Sequence, residues 1–333
     1  MNLWKRGSID NDALFIIVIV GLLILSWVNI GLTKKSGGSV NPFSIAIPVP
    51  TSGGVISSGG SGVSSSRDGT SIIQGPDSPY TDLVSIGVGN GSSEYQPSRE
   101  YIVLYGSGSI ENPINVTGWY LTNGKGARTY QVGSATTRFA SDKVIIPEGK
   151  TLFNPNGGGA SGPVLLAPYG EVILTTGSVN YKSKQLPAFR ENKCSGYLVR
   201  DQKDKLTLNP GVNTFCPAPT KEIGVSNLDR ACRQFIENMN SCRTPNYIDS
   251  VIDRGTVQSG YVDGVAGLSD QCKTFLQSHY SYNSCVANHS QDSNFYTNTW
   301  RVFFNRPFEL WATDYEIITL YDREGRIVDQ YQY

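Results

Sequence analysis

The chain has 333 residues, enough for two modest domains. Its 28 basic and 28 acidic side chains cancel, so no overall field draws it toward nucleic acid or an anionic lipid surface. That balance argues against a nucleic-acid partner and turns attention to local features.

Residues 1–12 are a short N-terminal segment. Residues 13–32 then run for twenty positions without a charge. As a helix this run reaches about 30 Å, the thickness of a bilayer's hydrocarbon core. A cleaved signal peptide would have a shorter apolar stretch followed by a small-residue cleavage site. Here Thr33, Lys34 and Lys35 follow, so the segment reads as an uncleaved transmembrane anchor. Lys5 and Arg6 on one side nearly balance Lys34 and Lys35 on the other, which leaves the positive-inside rule undecided. The six cysteines, Cys194, Cys216, Cys232, Cys242, Cys272 and Cys285, decide the orientation. An even, clustered set behind an anchor reads as a disulfide framework in an oxidising compartment. Residues 1–12 are therefore expected in the cytoplasm and the C-terminal part outside it.

Residues 33–80 are rich in Ser and Gly and carry too little apolar surface to offset their ordering entropy, so they read as a flexible linker. From 81 to 189, and again from 298 to 333, short runs alternate apolar and polar residues between Gly, Pro and Asn turns. That is the pattern of an all-β sandwich or barrel. The last run predicts a hairpin turning at Asp322 to Gly325, with Gly325 at the positive-φ position.

Residues 190–297 differ, and their composition predicts a small cysteine-rich helical insertion. Three helices are expected. One starts in a capping box from Ser226 to Asp229 and carries Cys232, Phe235, Ile236 and Met239 on one face. A second starts at Thr244 and Pro245 and carries Tyr247, Ile248, Val251 and Ile252. A third is capped by Ser269 and carries Cys272, Phe275, Leu276 and His279. The segments 231–242 and 271–285 resemble each other as two helix-then-cysteine units. Cysteines ten apart on one continuous helix lie about 15 Å apart, too far to bridge. An antiparallel pair of units gives Cys232–Cys285 and Cys242–Cys272, with Cys194–Cys216 closing a loop. If each unit folds back sharply, Cys232–Cys242 and Cys272–Cys285 remain open.

The motif from Glu100 to Tyr105, the link from Pro113 to Thr117 and the strand Gly118, Trp119, Tyr120, Leu121 together resemble the start of a lamin-tail domain. Val144 to Gly149 resembles that family's central turn, and Leu320 to Asp329 its closing hairpin. The resemblance implies an immunoglobulin-like β-sandwich built from 81–189 and 298–333 and interrupted by 190–297. It also implies an anchored or secreted bacterial protein. In the strand at 118–121, alternation sends Trp119 and Leu121 to one face and Tyr120 to the other. Trp119 therefore reads as a core anchor, with a carbohydrate-stacking platform as the alternative.

Little points to catalysis. The cysteines lack the short C-x(2–4)-C spacing of a zinc site. His279 and His289 lack the spacing of a helical metal pair, and no nucleophile elbow accompanies them. Asp249, Asp253 and Asp263 lack the rhythm of a calcium loop. No catalytic, cofactor-binding or metal-ligating residue is assigned and no cofactor is expected. The numerous tyrosines toward the C-terminus, Tyr280, Tyr282, Tyr296, Tyr315, Tyr321, Tyr331 and Tyr333, are candidates for an adhesive or glycan-binding surface. The sequence thus predicts a non-catalytic, membrane-anchored surface protein for adhesion, envelope structure, or binding of a cell-wall glycan or surface protein. The alternative is an envelope hydrolase with a site near His279 and His289 in the insertion.

Overall fold

The computed structural model describes residues 76–124, 128–132, 134–139, 143–200, 205–253, 256–311 and 315–333. The expected anchor at 13–32 and the expected linker up to residue 75 lie outside the described residues. No helix among the described residues is long and apolar enough to cross a membrane.

In chain order the principal strands begin with β1 (Val84–Gly87), β2 (Tyr101–Gly106), β3 (Tyr120–Asn123), β4 (Val144–Ile145), β5 (Glu171–Thr175) and β6 (Phe189–Asn192). A hairpin of β7 (Tyr247–Asp253) and β8 (Thr256–Val262) follows, then β9 (Tyr296–Phe303), β10 (Ile317–Tyr321) and β11 (Ile327–Gln332). Among the described residues, four short α-helices lie between β6 and β9: α1 (Gly196–Arg200), α2 (Arg230–Glu237), α3 (Asp270–His279) and α4 (Tyr282–His289).

The strands form a five-stranded sheet in the order β1-β2-β5-β9-β6 and a four-stranded sheet in the order β11-β10-β3-β4. All neighbours are antiparallel except β5 and β9, which run parallel. Alternation decides which residues meet inside. Ile102 and Leu104 of β2, Leu121 of β3, Val172 and Leu174 of β5, Val302 of β9 and Leu320 of β10 share one apolar core. Trp119 is in that core, 2% exposed, with the Tyr80 ring 5.0 Å away. Each such large side chain contributes about 1.5–3 kcal/mol by burial.

At one end of its other face the five-stranded sheet is apolar as well, and there the cysteine-rich segment packs on it. Phe189 and Phe303 belong to a second core with Phe153, Tyr197, Leu276, Tyr282 and all six cysteines. The chain enters this module from β6 and returns through β9, its antiparallel neighbour. The insertion is in effect a greatly enlarged hairpin loop. The linker is expected to run to residue 80, yet residues 76–80 are docked. Ile327 N donates to Pro76 O at 3.1 Å, Ser78 N to Ile327 O at 2.8 Å, and Ser78 Oγ to buried Asp322 at 2.8 Å. Asp322 also accepts from the backbone N–H groups of Glu324 and Arg326, which closes the β10–β11 turn with Gly325 at φ 82°.

The module departs from expectation in three places. The second expected helix is the β7–β8 hairpin. Its β-branched and aromatic residues (Tyr247, Ile248, Val251, Ile252) favour a strand, and Val257 and Val262 across the turn provide the partner. The first helix starts later than expected. Asp229, not Ser226, is its N-cap, accepting from Cys232 N at 2.9 Å, while Ser226 sits in a short 3-10 turn. Ser269 caps α3 as expected, accepting from Cys272 N at 3.2 Å, but α1 and α4 carry no strong apolar period and were not anticipated.

The disulfides are Cys194–Cys285, Cys216–Cys242 and Cys232–Cys272, which overturns both the nested pairs and the sequential alternative. The two helix units associate start to start instead of start to end. Ser269 Oγ donates to Asp229 Oδ2 at 2.7 Å, so the two N-caps touch and the first-turn cysteines of α2 and α3 bridge. The chain then reverses at Tyr280 and Ser281 and places Cys285 on the separate helix α4, facing Cys194. Gly196 makes room for the Cys216–Cys242 bridge. A Cβ there would lie 2.3 Å from Cys242 Sγ and 2.9 Å from Cys216 Sγ.

Glu100, at the foot of β2, is fully buried. It accepts from Leu310 N at 2.9 Å and Trp311 N at 3.2 Å, tying the segment before β10 to the five-stranded sheet. Burial pushes its pKa from 4.5 to about 7, against the pull of those two donors. The folded protein therefore holds this proton more tightly than the unfolded chain. The resulting stabilisation is complete below the ordinary glutamate range and is lost as pH rises through about 7, by roughly 3 kcal/mol. Urea unfolding of the wild type and Glu100→Gln across this range checks it. The difference between the two is expected to change with pH by that amount, and a constant difference would contradict the account.

Candidate functional site

Strand register builds a cleft on the outer face of the five-stranded sheet, beside the docked module. Tyr105 of β2 lies directly opposite Glu171 of β5, and Glu171 lies opposite Thr299 of β9. Thr299 Oγ1 donates to Glu171 Oε1 at 3.0 Å. One row further along, Val103, Ile173 and Arg301 are aligned in the same way. The cleft has a volume of about 700 Å³, within the usual range for ligand sites. Its roof is the segment from Pro210 to Asn213.

Arg301 holds that roof. Its Nε lies 2.6 Å from Glu191 Oε1 of β6, and both side chains are almost fully buried. Its remaining nitrogens donate to Pro210 O at 2.5 Å and Gly211 O at 3.0 Å. Burial pushes the Glu191 carboxyl above the ordinary range, and the guanidinium pulls it back. A planar, always-charged fork is suited to binding one carboxylate and two carbonyls at once.

Two glycines shape the opposite wall. The Tyr105 ring fills the space that a Cβ at Gly87 would need, with Cε2 at 2.5 Å. The Tyr101 ring does the same at Gly89, at 2.8 Å, where the backbone also has φ +58°. Glycines at alternate positions thus let both rings lie against the edge of the sheet, and Tyr105 remains 46% exposed. Burial first, then the Glu171 charge and then Tyr101, raises the Tyr105 hydroxyl above its ordinary range and keeps it a neutral donor at physiological pH.

The cleft therefore offers aromatic rings, hydroxyls and a carboxylate. Among the described residues no His, Cys or Ser lines it. A glycoside-cleaving pair needs two working carboxylates, and Glu191 is committed to Arg301.

The two histidines of the hydrolase alternative have different partners. His279 stacks on Phe275 with ring centroids 3.9 Å apart. His289 lies between Glu222, at 3.0 Å from Nε2, and Asp292, at 2.9 Å from Nδ1. Asp292 is also bound by Lys193 at 2.8 Å. Each His289 nitrogen faces a carboxylate, a bracing arrangement that leaves neither nitrogen open to a substrate. Asp263 pairs with Arg243 at 3.2 Å. No group of three potential metal ligands occurs among the described residues.

The C-terminal tyrosines do not assemble one surface. Tyr280 and Tyr282 are buried in the module, and Tyr321 stacks on Tyr120 at 4.7 Å. Tyr331 and Tyr333 pack against the main core, Tyr296 is 36% exposed with Arg190 5.0 Å from its ring, and Tyr315 is exposed. The tyrosines that line the cleft, Tyr101 and Tyr105, belong to the first strand region. The available signal was the pair Gly87 and Gly89 at the end of β1 and just beyond it, where glycine marks close approach by another group. A second, more apolar groove of about 440 Å³ lies on α2, lined by Phe235, Met239, Val265 and Leu268. Comparison with family models, with curated proteins and with solved structures finds no match for this chain.

Proposed function

We propose that this chain is a non-catalytic, membrane-anchored extracytoplasmic protein that binds a cell-envelope glycan in the cleft on its five-stranded sheet. In this reading the two sheets form a lamin-tail-like, immunoglobulin-like β-sandwich, and residues 13–32 anchor it. The three disulfides point to an oxidising compartment.

The observation that carries the proposal is the row of Tyr105, Glu171 and Thr299 on the cleft floor, flanked by the glycine-seated Tyr101. Sugars present hydroxyls at their rims and C–H groups on their faces. Hydroxyl and carboxylate partners beside exposed aromatic rings match both. Tyr105→Ala removes the more exposed of the two cleft rings, a side chain that belongs to neither core. Titration of the purified full-length chain with solubilised envelope glycan is expected to show about thirtyfold weaker binding for this variant, the loss of one aromatic anchor of about 2 kcal/mol. Wild-type affinity in the variant, or no binding by either form, would count against the proposal.

A further inference from the structure

We infer that the glycan taken by this cleft carries a protonated amine, as in a hexosamine lacking its N-acetyl group, with the ammonium seated against Glu171 beside the Tyr105 ring. This inference rests on the glycan-binding reading above and specifies its chemistry.

The charge distribution supports it. Of the groups lining the cleft, Glu171 and Glu191 are acidic and Arg301 is basic. Each nitrogen of Arg301 already donates, Nε to Glu191 and the other two to the roof carbonyls, and its charge is paired with Glu191. Glu171 is left with a neutral donor, the Thr299 hydroxyl, and makes no ion pair among the described residues. It is half-buried, so water screens it incompletely, and an uncompensated carboxylate in such a place favours an incoming cation. Tyr105 stands directly across the strand pair from it, and an electron-rich ring face attracts the same cation. An anionic polymer would meet repulsion at the same point.

The rest of the cleft favours a sugar over a lysine side chain as the source of the amine. Its floor is made by strands β2, β5 and β9, whose backbone groups are already paired on both sides, so no free edge invites a peptide strand. The other polar side chains lining it are the Tyr101 phenol, the Thr297 hydroxyl, which donates to Glu191 O at 3.1 Å, and the Asn213 amide, whose oxygen accepts from Phe215 N; such neutral groups suit a hydroxyl-rich ligand better than a charged chain.

The test is calorimetric titration of the full-length chain with a glucosamine tetrasaccharide, its fully N-acetylated counterpart and a lysine-rich peptide. The glucosamine oligomer is expected to bind at least about tenfold more tightly than the acetylated one. Glu171→Gln is expected to abolish that preference with an unchanged melting midpoint. In the wild type the preference should also fade as pH rises and the sugar amines lose their protons, a readout that holds even if the variant fails to fold. Equal or better binding of the acetylated oligomer, with Tyr105→Ala still weakening it, would overturn the ammonium inference and leave the glycan reading standing. Tighter binding of the peptide than of either sugar would overturn the choice of a glycan. Failure of both sugars would remove both readings.

Discussion

Arg301→Met is expected to destabilise the folded protein by about 3–5 kcal/mol, because it strands the Glu191 carboxylate in a site where the side chain is only 3% exposed. The loss has two parts. Glu191 keeps its desolvation cost without the guanidinium 2.6 Å away, and the carbonyls of Pro210 and Gly211 lose their donors. The double variant Arg301→Met/Glu191→Leu removes both charges together and is expected to recover most of the stability, since an apolar pair of similar size tolerates the same burial. Denaturant midpoints of the two variants separate the parts. The double variant should nevertheless bind ligand poorly, because the segment from Pro210 to Asn213 no longer has its anchor. If both variants unfold at the wild-type midpoint, the ion pair does not have the role assigned to it.

Removing the disulfide between Cys194 and Cys285 as a pair of alanines is expected to cost about 4 kcal/mol, the largest loss among the three bridges. It closes a separation of 91 residues, against 40 for Cys232–Cys272 and 26 for Cys216–Cys242. Loop-closure entropy alone sets the first about 1 kcal/mol above the last. The bridge also joins the residues that follow β6 to α4, just before β9, so it pins the module at its two points of attachment. Melting of the three double variants gives the ranking directly. A reversed order would mean that packing around each bridge, not chain length, dominates.

The parts of the fold that were legible in the sequence are those set by local periodicity. Ile102 and Leu104 alternate with outward residues on β2, Trp119 and Leu121 do so at β3, and Asp322 to Gly325 form a turn. Ser269 was readable as a helix cap because its hydroxyl acts within three residues. The hairpin at 247–262 was misread because Tyr247, Ile248, Val251 and Ile252 satisfy a helical period as well as a strand's composition. Only the partner strand distinguishes them. Disulfide pairing depended on two N-caps meeting, Asp229 and Ser269, forty residues apart in the chain. The cleft was hidden for the same reason. Glu171 and Thr299 are 128 residues apart and become neighbours only through the parallel pairing of β5 with β9 across the whole inserted module. Arg301 read simply as one residue of a strand pattern, and nothing local revealed that it reaches the carbonyls of Pro210 and Gly211.

In the proposed reading this protein works by holding a sugar in the cleft between the five-stranded sheet and the module's roof. Hydrogen exchange of the full-length chain, with and without a saturating glucosamine oligosaccharide, tests it most directly. The account predicts new protection at 87–89 and 210–213, the two rims of the cleft, with the α2 groove at 263–268 unchanged. Protection confined to that groove, or none at either rim while binding is demonstrably saturated, would contradict it.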